Sequence, residues 1–391
     1  MRLPSETELS MEQREVCMLD PTGINLVIGP PGSGKTVVAI FTRKMLEKME
    51  EEVTATAWNN VLSVYGGMEV TFERWLHKWW RDLTNTSFPF TLDPDSNFRR
   101  PDYLKATGLA YSDFREQISR NNYWGQLILD EAQDLSQDAH TFLAAVRQMS
   151  EPPISNQASS ILVLADENQR LSKTSSSIDE ISKAMFLTDD HVYKLTKNYR
   201  NTEQIAKFSR TFFIGTRSGI PSLPSRQGER PALYKNIKKV ASVDKIVNYI
   251  KTYPNHEVGV LVNFTKQRRS FVYQLKEKLK GTNIKIQTYG SSKDERAALG
   301  DMLFDQGGVV TVLCYASAKG LEFDHVFLPE LHVLPLHQDI DLDTQKMNMY
   351  VMTSRSRSGL TLFMEDPDMT SDFWRILPNH NELNDLVDIE G

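Results

Sequence analysis

Cysteine is scarce in this chain: two residues in 391, Cys17 and Cys314, far apart in sequence. That excludes a disulfide-stapled scaffold and fits a reducing, cytoplasmic setting. Long apolar runs are missing too, so no membrane span or membrane partner is expected. The opening Met1-Arg2-Leu3-Pro4-Ser5-Glu6 has no apolar signal-peptide core. An excess of positive charge is also absent. Lys and Arg number 45 against 51 Asp and Glu, giving a net charge of −6. No global basic footprint announces nucleic acid, so any such site must be a local cleft. Internal repeats and low-complexity tracts do not stand out. What remains is an ordinary globular composition, 40% hydrophobic and 25% charged, at a length that suggests roughly two or three domains.

One stretch carries explicit chemistry. Gly29-Pro30-Pro31-Gly32-Ser33-Gly34-Lys35-Thr36 fits G-x-x-x-x-G-K-[ST] at every fixed position. The apolar run Ile24 to Ile28 before it reads as a buried strand, and Val37 to Phe41 after it as the start of a helix. A strand–loop–helix context is what a phosphate-binding loop requires. Gly29, Gly32 and Gly34, with Pro30 and Ser33 between them, let backbone N–H groups close around phosphate oxygens without Cβ clashes. The helix N-terminus adds partial positive charge. Lys35 is expected to reach the β/γ-phosphates of a nucleotide and Thr36 to hold Mg²⁺.

A nucleotide hydrolase also needs an acidic site. Gln126-Leu127-Ile128-Leu129-Asp130-Glu131 reads as a buried strand ending in two carboxylates. Asp130 is expected on the metal side and Glu131 as the general base. Ile161 to Ala165 is a further buried strand, and Leu195 to Phe213 reads as a helix. Residues 81 to about 123 read as irregular, with one helix near Tyr111 to Ser119. A Gly-, Pro-, Ser- and Arg-rich shift over residues 214–231 marks a domain boundary. Beyond it, strands at 231–234, 258–262, 284–289, 309–314, 326–328 and 360–363 alternate with amphipathic helices. That alternation predicts an α/β fold with doubly wound parallel sheets. The expected domains are 1–220 and 221–378, followed by a frayed acidic tail, 379–391.

Asp130-Glu131-Ala132-Gln133-Asp134 resembles the DEAQD motif of UvrD/Rep-like superfamily 1 helicases. Further motifs extend the resemblance in order from about residue 9 to 364. It implies two RecA-like parallel-sheet domains with an ATP cleft between them, and ATP and Mg²⁺ as cofactors. Gln13 looks like the adenine-reading glutamine that precedes the phosphate loop. Asp166-Glu167-Asn168-Gln169 resembles the motif in which Gln169 senses the γ-phosphate. In Asn198-Tyr199-Arg200, Tyr199 would stack on the base and Arg200 would reach the γ-phosphate. Lys319-Gly320-Leu321-Glu322-Phe323 matches KGLEF, with Glu322 on the ribose. Tyr350 to Arg357 resembles the sixth motif, with Arg355 as arginine finger and Arg357 as its rival.

The strand-contacting motifs are less complete. Thr56-Ala57-Trp58-Asn59-Asn60 has Ala57 where a threonine is usual, and Thr71-Phe72-Glu73-Arg74-Trp75 has Glu73 in place of a histidine. Arg170-Leu171-Ser172-Lys173 follows Gln169 where an aromatic is frequent, and Cys314 and Ala316 replace Thr and His. Trp58, Phe72 and Trp75, with Asn59, are the candidates for contacting single-stranded bases. Trp79 and Trp80 read as core. The gaps at about 81–126 and 264–308 are too short for the helical domains that larger family members insert. The resemblance thus implies an ATPase that moves on single-stranded DNA, in a setting such as a bacterial antiviral defence system. The alternative is an ATP-gated regulatory subunit that controls a partner nuclease or effector.

Overall fold

The computed structural model describes residues 4–57, 61, 63, 68, 70–92, 99–121, 123–149, 159–169, 175–216, 219–290, 295, 298–334 and 342–390. Two of the predicted strand-contacting residues, Trp58 and Asn59, lie outside them, as do residues 170–173. The chain divides into two units. The first comprises Leu3–Gly29 and Gly34–Leu195, and the second comprises Pro30–Ser33 and Thr196–Gly391. Each is a parallel sheet flanked by helices, the arrangement of tandem RecA-like α/β domains. The division at Leu195/Thr196 falls earlier than the Gly/Pro-rich stretch near 220 suggests. The helix Glu203–Arg210 that precedes this stretch packs with the second unit, so composition marks a loop inside that unit and not its edge.

The first unit contains β1 (Ile24–Ile28), β2 (Val53–Ala57), β3 (Val70–Thr71), β6 (Gln126–Leu129), β7 (Ser160–Ala165) and β8 (Val192–Lys194), with a small antiparallel hairpin of β4 (Phe90–Leu92) and β5 (Arg99–Pro101). The sheet order is β3-β2-β6-β7-β1-β8, with every pair parallel. Every residue of β1, β6 and β7 is buried, which is why these strands read as continuous apolar runs and do not alternate. Helices supply the crossovers that parallel pairing demands. One of them, Phe72–Thr84, starts where the Thr71 side chain accepts the Arg74 N–H and ends at Asn85 in the left-handed region, φ 55°. Phe72, Leu76 and Trp80 fall on its buried face, where Trp80 meets Phe88 at 5.2 Å and Phe142 at 6.0 Å between ring centroids. The segment expected to be irregular holds two helices, Tyr103–Ser112 and Arg115–Asn121, besides the hairpin. Ala106, Ala110 and Ile118 dock them into the same core.

The second unit carries β9 (Ala232–Tyr234), β10 (Glu257–Val262), β11 (Lys285–Thr288), β12 (Val309–Cys314), β13 (Phe323–Leu328), β14 (Ser356–Phe363) and β15 (Asp388–Glu390). Their order is β11-β12-β10-β13-β14-β9-β15, again parallel throughout. The expected frayed tail is instead structural. Helix His380–Leu386 buries Leu383, Val387 is buried, and β15 pairs with β9 from Asp388↔Ala232 to Glu390↔Tyr234. A polar, acidic composition concealed two apolar anchors and a strand short enough to carry no pattern. Among the described residues, no helix is long and apolar enough to cross a membrane.

Candidate functional site

In the first unit, three adjacent strands, β6, β7 and β1, end in Asp130-Glu131, Asp166 and Gly29. Open α/β sheets place ligand chemistry at the carboxyl ends of their strands, and the functional candidates gather there. Gly34 stands at the N-cap of helix Lys35–Lys48 with φ 89°, a conformation that L side chains rarely adopt. A Cβ at Gly34 would lie 2.2 Å from Gln13 Nε2, so the absence of a side chain lets Gln13 lie directly on the loop. Gln13 is itself fixed by a reciprocal cap, its Oε1 accepting the Ser10 N–H at 3.0 Å while its own N–H reaches Ser10 Oγ.

Lys35 is buried. Its ammonium donates to the Gly29 carbonyl at 2.5 Å and stands 3.8 Å from Asp166 Oδ2. The Thr36 hydroxyl donates to Asp130 Oδ2 at 2.7 Å. Burial and the adjacent Glu131 push the Asp130 carboxyl above the ordinary carboxylate range, against the pull of Thr36 and Lys35. Glu131 has φ 54°, a left-handed backbone for a non-glycine residue, directly after the strand. Strain of this kind clusters at functional sites. Gln133 Nε2 donates to Glu131 Oε2 at 2.6 Å, and Gln133 Oε1 accepts the Asp166 N–H at 2.9 Å. Gln169 Nε2 donates to Asp166 Oδ2 at 2.6 Å. Lys35, Thr36, Asp130, Glu131 and Gln169 are therefore brought together through two residues, Gln133 and Asp166, to which sequence reasoning assigns no role. Their signal was their place inside the DEAQD segment and at the end of an apolar strand. A hydroxyl and a carboxylate oxygen side by side form a hard-donor set of the kind Mg²⁺ takes. Among the described residues no cluster of three or more His, Cys, Asp or Glu forms a metal cage, and Mg²⁺ on nucleotide phosphates does not require one.

In the second unit, Gly32 has φ 78°, and a Cβ there would lie 2.5 Å from Asn198 Oδ1. The Gly32 carbonyl accepts the Tyr199 N–H at 2.9 Å. Asn198 Oδ1 also accepts the N–H groups of Arg200 and Asn201, a side-chain-mimicked turn that leaves the Tyr199 ring exposed. Arg200 Nε donates to Glu322 Oε2 at 2.8 Å and its NH1 to the Ser354 carbonyl at 3.3 Å. Arg357 takes the other oxygen: Nε and NH2 donate to Glu322 Oε1 at 3.2 and 3.0 Å. Arg357 also reaches Asp324 and Asp305. Burial pushes the Glu322 carboxyl up, but the two guanidinium groups outweigh it and hold it at about 2. Arg355, expected as the arginine finger, is buried. Its Nε donates to Val351 O at 2.9 Å and its NH1 to Leu321 O at 3.3 Å. A finger role for it requires the guanidinium to leave those carbonyls, whereas Arg200 and Arg357 are partly exposed.

The base-stacking expectation needs correction. Phe72 is buried, and Trp75, partly buried, packs against the core within 6.0 Å of Phe72 and 5.9 Å of both Trp79 and Trp124. Burying a ring of that size is worth far more to folding than leaving it exposed for an occasional base.

Comparison with known proteins gives a family. Residues 22–329 match the model described as Schlafen group 3, DNA/RNA helicase domain. A putative ATP-dependent DNA helicase R568 of Acanthamoeba polyphaga mimivirus is 30% identical over 186 residues, 43% of this chain and 25% of that protein, so the chain spans about a quarter of the relative's length. Two solved structures are also similar. The C-terminal domain of a possible DNA helicase from Lactobacillus plantarum aligns over 49% of this chain and 99% of its own, at 18% identity and TM-score 0.34. The Pif1 helicase from Candida albicans aligns over 96% and 98%, at 11% identity and TM-score 0.46.

Proposed function

The chain belongs to the Schlafen group 3 DNA/RNA helicase-domain family, and on that premise we propose that it hydrolyses ATP with Mg²⁺ and couples the cycle to movement on a single nucleic-acid strand, DNA in the first place. The observation that carries this reading is the linked set Thr36–Asp130 and Glu131–Gln133–Asp166–Gln169 beside a glycine loop. Thr36 and Asp130 would hold Mg²⁺, which when bound would supply charge neutralisation on the phosphate oxygens. Lys35 holds the terminal phosphates. Glu131 takes a proton from water as the water oxygen bonds to the γ-phosphorus and the bond to the ADP oxygen breaks. Gln133 positions Glu131 without touching the reacting atoms, and Gln169 senses the γ-phosphate. Gln13 and Tyr199 recognise adenine, Glu322 the ribose, and Arg200 meets phosphate charge, with Arg355 or Arg357 as further candidates. These roles follow the UvrD/Rep-like motif pattern, which is finer than the family match.

A second reading has one observation in its favour. Phe72 is buried and Trp75, partly buried, packs on the core, which favours, as the alternative, an ATP-gated subunit controlling a partner nuclease or effector. Steady-state ATP hydrolysis with and without single-stranded DNA separates the two. Stimulation by the strand supports the motor, and turnover indifferent to any strand overturns it.

A further inference from the structure

The helix Phe72–Thr84 turns its aromatic residues inward, and what it turns outward is cationic. Each helical residue advances by roughly 100°. Trp75, Leu76, Trp79, Trp80 and Leu83 therefore share one face, and all of them pack on the core. Arg74, His77, Lys78 and Arg81 share the other. Arg74, Lys78 and Arg81 are exposed, and no described carboxylate forms an ion pair with any of them. Glu73 and Asp82 are the acids on this helix, and both fall at the margins of the cationic arc. The hairpin extends the surface. The Phe90 ring meets the His77 ring edge-on at 5.1 Å, and the Arg99 guanidinium lies over Phe90, 5.6 Å from its centroid. His77 is wedged between Phe88, stacked at 5.9 Å, and Phe90. The hairpin is thereby fixed against the helix with a cation and a half-exposed ring facing outward.

A chain with a net charge of −6 has no general reason to gather Arg74, Lys78, Arg81 and Arg99 beside an aromatic ring on one face. Repulsion between cations one helical turn apart is unfavourable unless an anion relieves it. The spacing along one helix edge suits a regularly charged polyanion better than a single phosphate, and the ring beside the cations suits unpaired bases. We propose that this face, Arg74, Lys78 and Arg81 with Arg99 and Phe90, binds the phosphodiester backbone of a single nucleic-acid strand. The inference rests on the nucleic-acid-dependent ATPase reading and names a surface for it, opposite to the face on which the sequence motif placed base contacts.

The test is fluorescence anisotropy of a labelled single-stranded DNA oligonucleotide, with an RNA arm, against the full chain and Arg74→Gln/Lys78→Gln/Arg81→Gln. Removing three phosphate contacts predicts at least a tenfold weaker Kd at low salt and a log–log salt slope shallower by about 2. Strand-free ATP hydrolysis and the circular dichroism spectrum stay unchanged. Arg99→Gln, on a hairpin outside the core, is the second variant and predicts a slope shallower by about 0.7. Wild-type affinity and slope in both variants overturns this surface while leaving the ATPase reading intact. A wild-type chain that binds phosphatidylserine vesicles but no oligonucleotide overturns both.

Discussion

Thr36 Oγ1 donates to Asp130 Oδ2 at 2.7 Å, joining the last residue of the phosphate loop to the end of a strand 94 residues away. The bond sets a hydroxyl beside a carboxylate, the pair proposed to hold Mg²⁺. Thr36→Val removes the hydroxyl without changing the volume, and it leaves a buried carboxylate that Thr36 holds down. Magnesium-dependent ATP turnover is expected to fall by at least tenfold, with the concentration of Mg²⁺ needed for half-activity raised. Unchanged magnesium dependence in a turnover titration would remove Thr36 from the metal site.

Glu131 is the proposed base, and Gln133 positions it. Glu131→Gln is expected to lower turnover by about 10²–10⁴-fold while ATP binding persists. Gln133→Leu is expected to lower turnover less, because Glu131 stays in place but loses the amide that orients it. Filter binding and steady-state rates of the two variants side by side check the ordering. Equal loss in both would merge the two roles.

Glu322 gives a pH prediction with a definite sign. Its folded carboxyl titrates at about 2, against an ordinary value of 4.5, because Arg200 and Arg357 grip both oxygens. A depressed carboxylate contributes stability that is present above the unfolded value and is lost as pH falls through the folded one. Wild-type stability should therefore decline between about pH 4.5 and 2. Glu322→Gln should be weaker near pH 7 by on the order of 2 kcal/mol, discounted for partial solvent access, and flatter through that window. Urea unfolding across pH 2–7 reads both.

The C-terminal segment supplies a fourth test. Ending the chain at Pro378 removes buried Leu383 and Val387 and strips β15 from β9. A drop of roughly 5–10 °C in the melting temperature of the second unit is expected by calorimetry. No change would restore the view of a solvated tail.

Much of the site was legible because its chemistry is local in sequence. A glycine loop between an apolar strand and a helix has one common use, and two carboxylates closing a continuous apolar strand announce a buried sheet with reactive ends. What failed to show was whatever depends on the direction of a side chain or on distant partners. Phe72 and Trp75 fit a motif that reads the same whether the aromatic face meets a base or a core. The surrounding Leu76, Trp79 and Trp80 decide for the core, because one helix cannot turn the whole aromatic arc outward. The Glu322 pairing with Arg200 spans 122 residues and has no local signature. Asp388 to Glu390 is too short and too acidic to read as a strand, and only pairing with β9 makes it one.

The proposed function requires this site to turn over ATP in response to a nucleic-acid strand. The most direct measurement is phosphate release by the purified full chain with Mg²⁺, with and without single-stranded DNA, beside Lys35→Ala. The account predicts turnover that rises severalfold with the strand and vanishes in the Lys35→Ala chain. Turnover that persists in Lys35→Ala, or that is indifferent to every strand supplied, would contradict it.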